Sequence, residues 1–230
     1  MPRQTVNMDA PTADFIDPEA RDRVVVSGAD AQTYLQSQLA QEIRDLQVGE
    51  TRWTLVLEPT GKVAALARIT RSADETFELD TDAGFGEGLA ARIDRFKIRV
   101  DAEVALVPAP RDEPSAEHEA ARVAAGWPRM GAEIVPGETI PAVTGVVPLS
   151  VDFTKGCYPG QELVERMDSR GADAPRSLRI LEVVDAAATG APILDADGNE
   201  VGVLTSIAGA VALGYVKRGV DVGRSPAHLA

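Results

Sequence analysis

The stretch "TRWTLVLEPTGKVAALARI" (51–69) sets the strongest limit on how this chain can fold. Trp53, Leu55 and Leu57 recur at every second position, "EPTG" supplies turn residues, and the apolar run "KVAALARI" returns at once. Period-two recurrence interrupted by a turn predicts a hairpin, and a tight hairpin requires antiparallel strands. The surrounding elements do not fall into a regular βα alternation. "RVVVSG" (23–28) reads as a strand. Asp30 can cap a helix, "AQTYLQSQLAQEI", in which Leu35, Leu39 and Ile43 fall at spacing four. "TFELD" (76–80) reads as a strand, "EGLAARIDRF" as a helix with Leu89, Ile93 and Phe96 on one face, and "KIRVDAEVALV" (97–107) as a further strand. The fold class is therefore α+β rather than doubly wound.

The second half is organised differently. "PAPRDEPSAE" (108–117), rich in proline and acids, reads as a linker into a short helix, "AEHEAARVAAG", which Gly126 can end. Pro128, Pro136, Pro141 and Pro148 forbid long regular elements between 127 and 150. "SLRILEVV", "APILDADGNEVGVLTSI" and "AVALGYVKR" are short β-type runs, with "DADG" as a hairpin turn, and predict a small terminal sheet or barrel from about Pro175. Residues 1–20 read as a flexible lead-in. With aromatics at 4%, the core must come mainly from Val, Leu, Ile and Ala.

Charge and residue counts exclude several functions. Lys and Arg total 23 against 36 Asp and Glu, a net charge of −13, which disfavours a broad nucleic-acid surface but leaves room for a local basic pocket. The single cysteine rules out an internal disulfide and a multi-cysteine metal site within one chain. His118 lies among glutamates and His228 near the C-terminus, so neither suggests a catalytic pairing. The first twenty residues have no apolar core of a signal peptide and no run reaches membrane-span length, so the chain is read as cytoplasmic. "GFGEG" (84–88) has Leu89 where a dinucleotide fingerprint requires glycine, and "TGKV" (60–63) lacks the remainder of a phosphate loop; both are turn glycines.

One segment concentrates chemistry: "KGCYPGQE" (155–162). Gly156 and Gly160 bracket Cys157 and permit close backbone approach. Lys155 can favour a thiolate, Tyr158 offers a ring and a hydroxyl, and Gln161 and Glu162 offer groups for a polar heterocycle. A free cysteine is also commonly a small packed hydrophobe. The residues alone leave both readings open.

"KGCYPGQE" resembles the signature of the YgfZ family, folate-binding relatives of the glycine-cleavage T-protein (aminomethyltransferase). "VSGADAQTYLQSQLAQEIRDLQVGE", "LEPTGKVAALARI", "RFKIRVDAEV", "GETIPAVTGVVPLSVDFTKGCYPGQELVERMDSRG", "DGNEVGVLTS" and "ALGYVKR" are similar to further parts of that family, so the resemblance covers most of the chain. It implies mixed α+β subdomains around a central opening over 21–174, a small β-barrel over 175–222 and a tail over 223–230. The second subdomain is shortened between Pro108 and Trp127. The implied function is tetrahydrofolate-dependent assistance in assembling or repairing iron–sulfur clusters in client enzymes, including tRNA-modifying ones. The implied site has Cys157 and Lys155 as reactive groups. Gly156, Tyr158, Gly160, Gln161, Glu162, Arg166, Gln36 and Arg99 are its candidate folate contacts, Arg99 or Arg166 meeting the glutamate tail. No counterpart of the T-protein's catalytic aspartate is identified. A folate-dependent one-carbon transferase and a non-catalytic folate-binding module are the alternatives.

Overall fold

The hairpin read from 51–69 is built as β2 (Thr51–Leu57) and β3 (Val63–Ala73), paired antiparallel from Thr51↔Thr70 to Leu57↔Val63. The structure, a computed structural model, describes residues 15–169, 174–183 and 187–226. With β1 (Arg21–Ser27), β4 (Thr76–Asp82) and β5 (Glu103–Val107), the hairpin forms a five-stranded antiparallel sheet in the order β2-β3-β4-β1-β5. The sheet's apolar face packs against α1 (Ala31–Gln38) and α2 (Gly86–Asp94) and buries Leu35, Leu55, Ile69, Phe77, Leu79 and Ile93.

A second sheet lies towards the C-terminus. β6 (Arg176–Glu182), β7 (Pro192–Leu194), β8 (Glu200–Ala208) and β9 (Val211–Lys217) run in the order β6-β9-β8-β7, all antiparallel. It is an open sheet, not the closed barrel expected. Its two faces carry separate cores. Leu178, Ile180, Leu213 and Tyr215 pack with Val123 of α3 (Ala116–Ala125) and Val143 of α4 (Pro141–Thr144). Leu181, Ile193, Val201 and Leu204 line the other face. The short helices α4 and α5 (Val147–Ser150) both have proline in their first turn, where its missing N–H costs nothing. A last helix, α6 (Gln161–Ser169), follows the cysteine loop.

Several expectations are corrected. The helix over 31–43 stops at Gln38, because Leu39 turns extended, bridges to Val56, and Ala40 N–H donates to Leu55. Asp30 occupies the N-cap position, but its carboxylate accepts from Asp101 N–H rather than from the helix. Phe96 lies beyond α2, 37% exposed, with the Arg92 guanidinium over its ring at 4.7 Å. The strand expected over 97–107 begins only at Glu103. Phe15–Ala20, expected in a flexible lead-in, is packed: Phe15 stacks on Trp127 at 5.3 Å, and buried Asp17 caps the 3-10 turn Pro18–Ala20. Residues 1–14 lie outside the described residues. The helix over 116–125 is as read, with the Ser115 hydroxyl accepting from His118 N–H and left-handed Gly126 ending it.

Candidate functional site

The KGCYPGQ loop is fastened on two sides. On one side, Lys155 reaches the end of α1. Its Nζ donates to the carbonyls of Gln36 (2.7 Å), Leu39 and Gln41 (3.2 Å). The last carbonyls of a helix have no partner within it, and an ammonium has three donors; here one lysine meets acceptors at and just beyond the end of α1. Burial pushes the Lys155 ammonium down to about 8, partly opposed by Glu42 and Asp152. On the other side, the loop meets the β2–β3 turn. A Cβ at Gly160 (φ +82°) would lie 2.4 Å from the Glu58 carbonyl oxygen, and one at Gly61 (φ +83°) would lie 2.4 Å from the Leu163 Cβ. The turn and the loop are therefore in backbone contact, which only glycine permits at these two positions.

Between these anchors Cys157 is exposed. Tyr158 beside it is not available for stacking: its ring is 7% exposed, with the Lys155 ammonium 5.2 Å from the ring centroid. Its hydroxyl is buried, without a hydrogen-bond partner, and pushed up to about 12, chiefly by burial. Gln161 accepts from Tyr158 N–H through Oε1 and closes the turn into α6 (2.9 Å). Glu162 and Arg166 are exposed on α6. Gln36 is brought to the loop through its carbonyl. Its side chain is engaged elsewhere, donating to Glu42 (3.0 Å) and accepting from Ile43 N–H (2.9 Å). Arg99 is exposed in the turn before β5, at φ 56°, the positive φ of a non-glycine residue. The structure thus joins Lys155, Gly160, Tyr158, Gln161 and the backbone of Gln36 around Cys157. No hydrogen bond or ion pair among the described residues brings Arg99 or Arg166 into that group.

Because burial lowers the Lys155 pKa, the unfolded chain holds a proton between about pH 8 and the ordinary value of 10.5 that the folded chain has released. Stability then rises with pH across that window. The expected outcome is that wild type gains stability relative to Lys155→Met between pH 7.5 and 10. Urea midpoints at the two pH values measure it, and a constant difference contradicts it.

A second arrangement was not visible in the sequence. A cavity of about 240 Å³ opens between the Phe15–Ala20 segment, α3 and residues 127–131. A second cavity, of about 450 Å³, lies against β8. Both are lined by Glu119, Arg129 and Gly131. The polar framework around them is extensively paired: Arg21 with Asp80 and Asp82 (each 2.7 Å), and Arg122 with Glu119 (2.6 Å) and Glu133 (3.0 Å). Arg129 follows Pro128 in a stretch without periodicity, so only the tertiary fold reveals its place. Among the described residues no cluster of three His, Cys, Asp or Glu side chains is placed to hold a metal ion, and no helix is long and apolar enough to cross a membrane.

No family model matches the chain. An uncharacterized protein of Haemophilus influenzae is 27% identical over 226 residues, covering 80% of each chain. The crystal structure of glycine cleavage system aminomethyltransferase T from Bartonella henselae superposes with a TM-score of 0.75 at 17% identity, over 87% of this chain and 77% of that one. The fold is T-protein-like. At that identity the likeness concerns architecture. It accounts for the mixed α+β body.

Proposed function

We propose that this protein binds a reduced folate in the cytoplasm and assists assembly or repair of iron–sulfur clusters in other enzymes, tRNA-modifying ones included. The observation that carries the proposal is the exposed Cys157 on a loop fastened to the first-half sheet and helix. Such fastening presents a thiol at a fixed position, as a site for encountering another molecule requires. The resemblance of "KGCYPGQE" to the YgfZ signature and the T-protein-like fold supply the folate.

Two measurements test it. Millimolar tetrahydrofolate should raise the melting temperature, since a ligand that binds only the native state stabilises it. Cys157→Ser should leave stability within about 0.5 kcal/mol, as at other exposed positions. It should nevertheless fail to restore iron–sulfur enzyme activity in cells lacking the natural protein. An unchanged melting temperature removes the folate, and full complementation removes the thiol. The neighbour's activity favours a second reading, a folate-dependent one-carbon transferase. Single-turnover assays with a methylene donor distinguish it, because only a transferase would consume the donor.

A further inference from the structure

The outer edge of the terminal sheet gathers cations without counter-ions. β6 pairs with β9 on one side. The chain after β9 returns along its other side, where Arg224 and Ile180 exchange both backbone hydrogen bonds at 2.9 Å. Five basic residues meet there: Arg176 and Arg179 on β6, Lys217 at the end of β9, and Arg218 and Arg224 after it. Arg176 stands directly opposite Lys217 in the ladder, and Arg218 N–H donates to the Pro175 carbonyl at 3.1 Å. Arg176, Lys217, Arg218 and Arg224 are exposed. Among the described residues none of the five pairs with a carboxylate. Their contacts go to neutral groups: Arg176 lies over the Tyr215 ring at 4.3 Å, Arg179 donates to the Ser225 hydroxyl (2.6 Å), and Lys217 donates to the Glu200 carbonyl (2.8 Å). The first sheet differs, since Arg21, Arg23, Arg52 and Arg68 each meet a carboxylate there. A chain with 36 acidic side chains against 23 basic ones has carboxylates to spare, and it places none on this edge as a partner. Like charges directly opposite in a ladder repel, so Arg176 and Lys217 oppose each other unless an anion lies between them.

We propose that this edge holds the phosphodiester backbone of a single-stranded nucleic acid. A phosphate across Arg176 and Lys217 turns their repulsion into shared attraction, and a guanidinium meets phosphate oxygens through two parallel N–H groups. The make-up of the surface favours a phosphate chain over a protein partner. Protein interfaces centre on apolar and aromatic anchors. Among the described residues no exposed large apolar side chain lies on β6, β9 or residues 218–226. Tyr215 is buried beneath Arg176 and offers no platform for a base, so the edge reads backbone rather than sequence. A single strand suits an edge that runs about 13 Å from Arg176 to Ile180. A duplex would bring its second charged strand against the remainder of a chain with net charge −13. That same charge confines binding to this edge and makes it strongly dependent on salt. Neither folate nor the Cys157 thiol enters into it.

Fluorescence anisotropy of labelled oligouridine and oligothymidine, each of fifteen nucleotides, reads it. The proteins are wild type, Lys217→Gln/Arg218→Gln, Arg224→Gln, and Arg23→Gln/Arg95→Gln. The last removes the same charge elsewhere, from side chains 52% and 55% exposed. With five phosphate contacts, log K should fall against log salt with a slope of about −3.5, a loss of about a hundredfold between 50 and 200 mM. Lys217→Gln/Arg218→Gln should bring the slope to about −2, and Arg224→Gln alone to about −3. Arg23→Gln/Arg95→Gln should leave it unchanged. Binding of either oligonucleotide with this pattern supports the edge, and the tighter of the two names RNA or DNA as the source. Three results overturn it: no binding at 50 mM salt, the same slope for the edge variants as for the control, or equally tight binding of a polyglutamate peptide of matched charge, which would mark an acidic protein as the partner. All the replaced side chains are exposed, and Arg224→Gln keeps the test decisive if the Lys217→Gln/Arg218→Gln pair lowers the melting temperature.

Discussion

Glu133→Ala should destabilise the protein by about 3–5 kcal/mol, the cost of removing one carboxylate from a buried, hydrogen-bonded ion-pair network. The Glu133 side chain is fully buried and collects four donors: Arg122 Nη1 (3.0 Å), Arg129 N–H (3.0 Å), and the hydroxyls of Thr205 (2.6 Å) and Ser206 (2.7 Å). Its carbonyl accepts from the Tyr215 hydroxyl at 2.9 Å. One residue therefore ties α3, the segment after it, β8 and β9 together. Alanine would leave Arg122 to Glu119, Ser206 and the Trp127 carbonyl, and would strand the Thr205 hydroxyl. Glu133→Gln keeps the volume and should cost less, about 1–3 kcal/mol. Urea denaturation gives both values. A loss below about 1 kcal/mol for alanine would show that relaxation or water replaces the carboxylate, and the network would not be what docks the terminal sheet.

Gly160→Ala should be the most disruptive change in the cysteine loop. At φ +82° the new Cβ is strained, and it would lie 2.4 Å from the Glu58 carbonyl oxygen and 2.9 Å from the Gly61 Cα. Both obstacles are backbone and cannot rotate away. Strain and overlap together should cost about 2–4 kcal/mol, and the loop should lift from the β2–β3 turn. Gly156 is the internal control: a Cβ there meets nothing within 4 Å. Gly156→Ala should stay within about 0.5 kcal/mol of wild type. Melting curves separate the two variants, and alkylation of Cys157 should change in rate for Gly160→Ala. Equal melting temperatures would show that the turn and the loop are not in rigid contact.

Legibility in the sequence followed the range of the interactions involved. The β2–β3 hairpin, α3 with its Ser115 cap and Gly126 stop, and the terminal strands were readable because alternation, capping and turn chemistry are local. The end of α1 was not. Leu39 and Ile43 continue the apolar spacing, but Leu39 is used as a bridge to Val56, and the carbonyls at Gln36, Leu39 and Gln41 are claimed by Lys155 from across the chain. The β5 region misled for a similar reason, since Asp101 pairs with Asp30 through two backbone N–H bonds where alternation suggested a strand. Within the candidate site, the segment 155–162 could be picked out from residue types, but they left open whether Cys157 packs, and its exposure comes from the structure. Tyr158 could not be assigned correctly, because burial of a ring depends on what lies above it. Arg129 had no sequence signal at all, as its place beside two cavities is set by the tertiary fold.

The lysine strut from the loop to α1 also imposes an order of events during synthesis. Gln36 and Lys155 are 119 positions apart. At about 5–20 residues per second, the helix end waits roughly 6–24 s for its donor to leave the ribosome. Until then its exposed carbonyls are met only by water or by another molecule's donors, and the Glu58–Gly61 turn has no loop to rest against. The thiol-bearing segment is thus the closing piece of the first-half body, so a nascent chain stalled before residue 155 would present an unfinished helix end and an uncovered turn to chaperones and proteases.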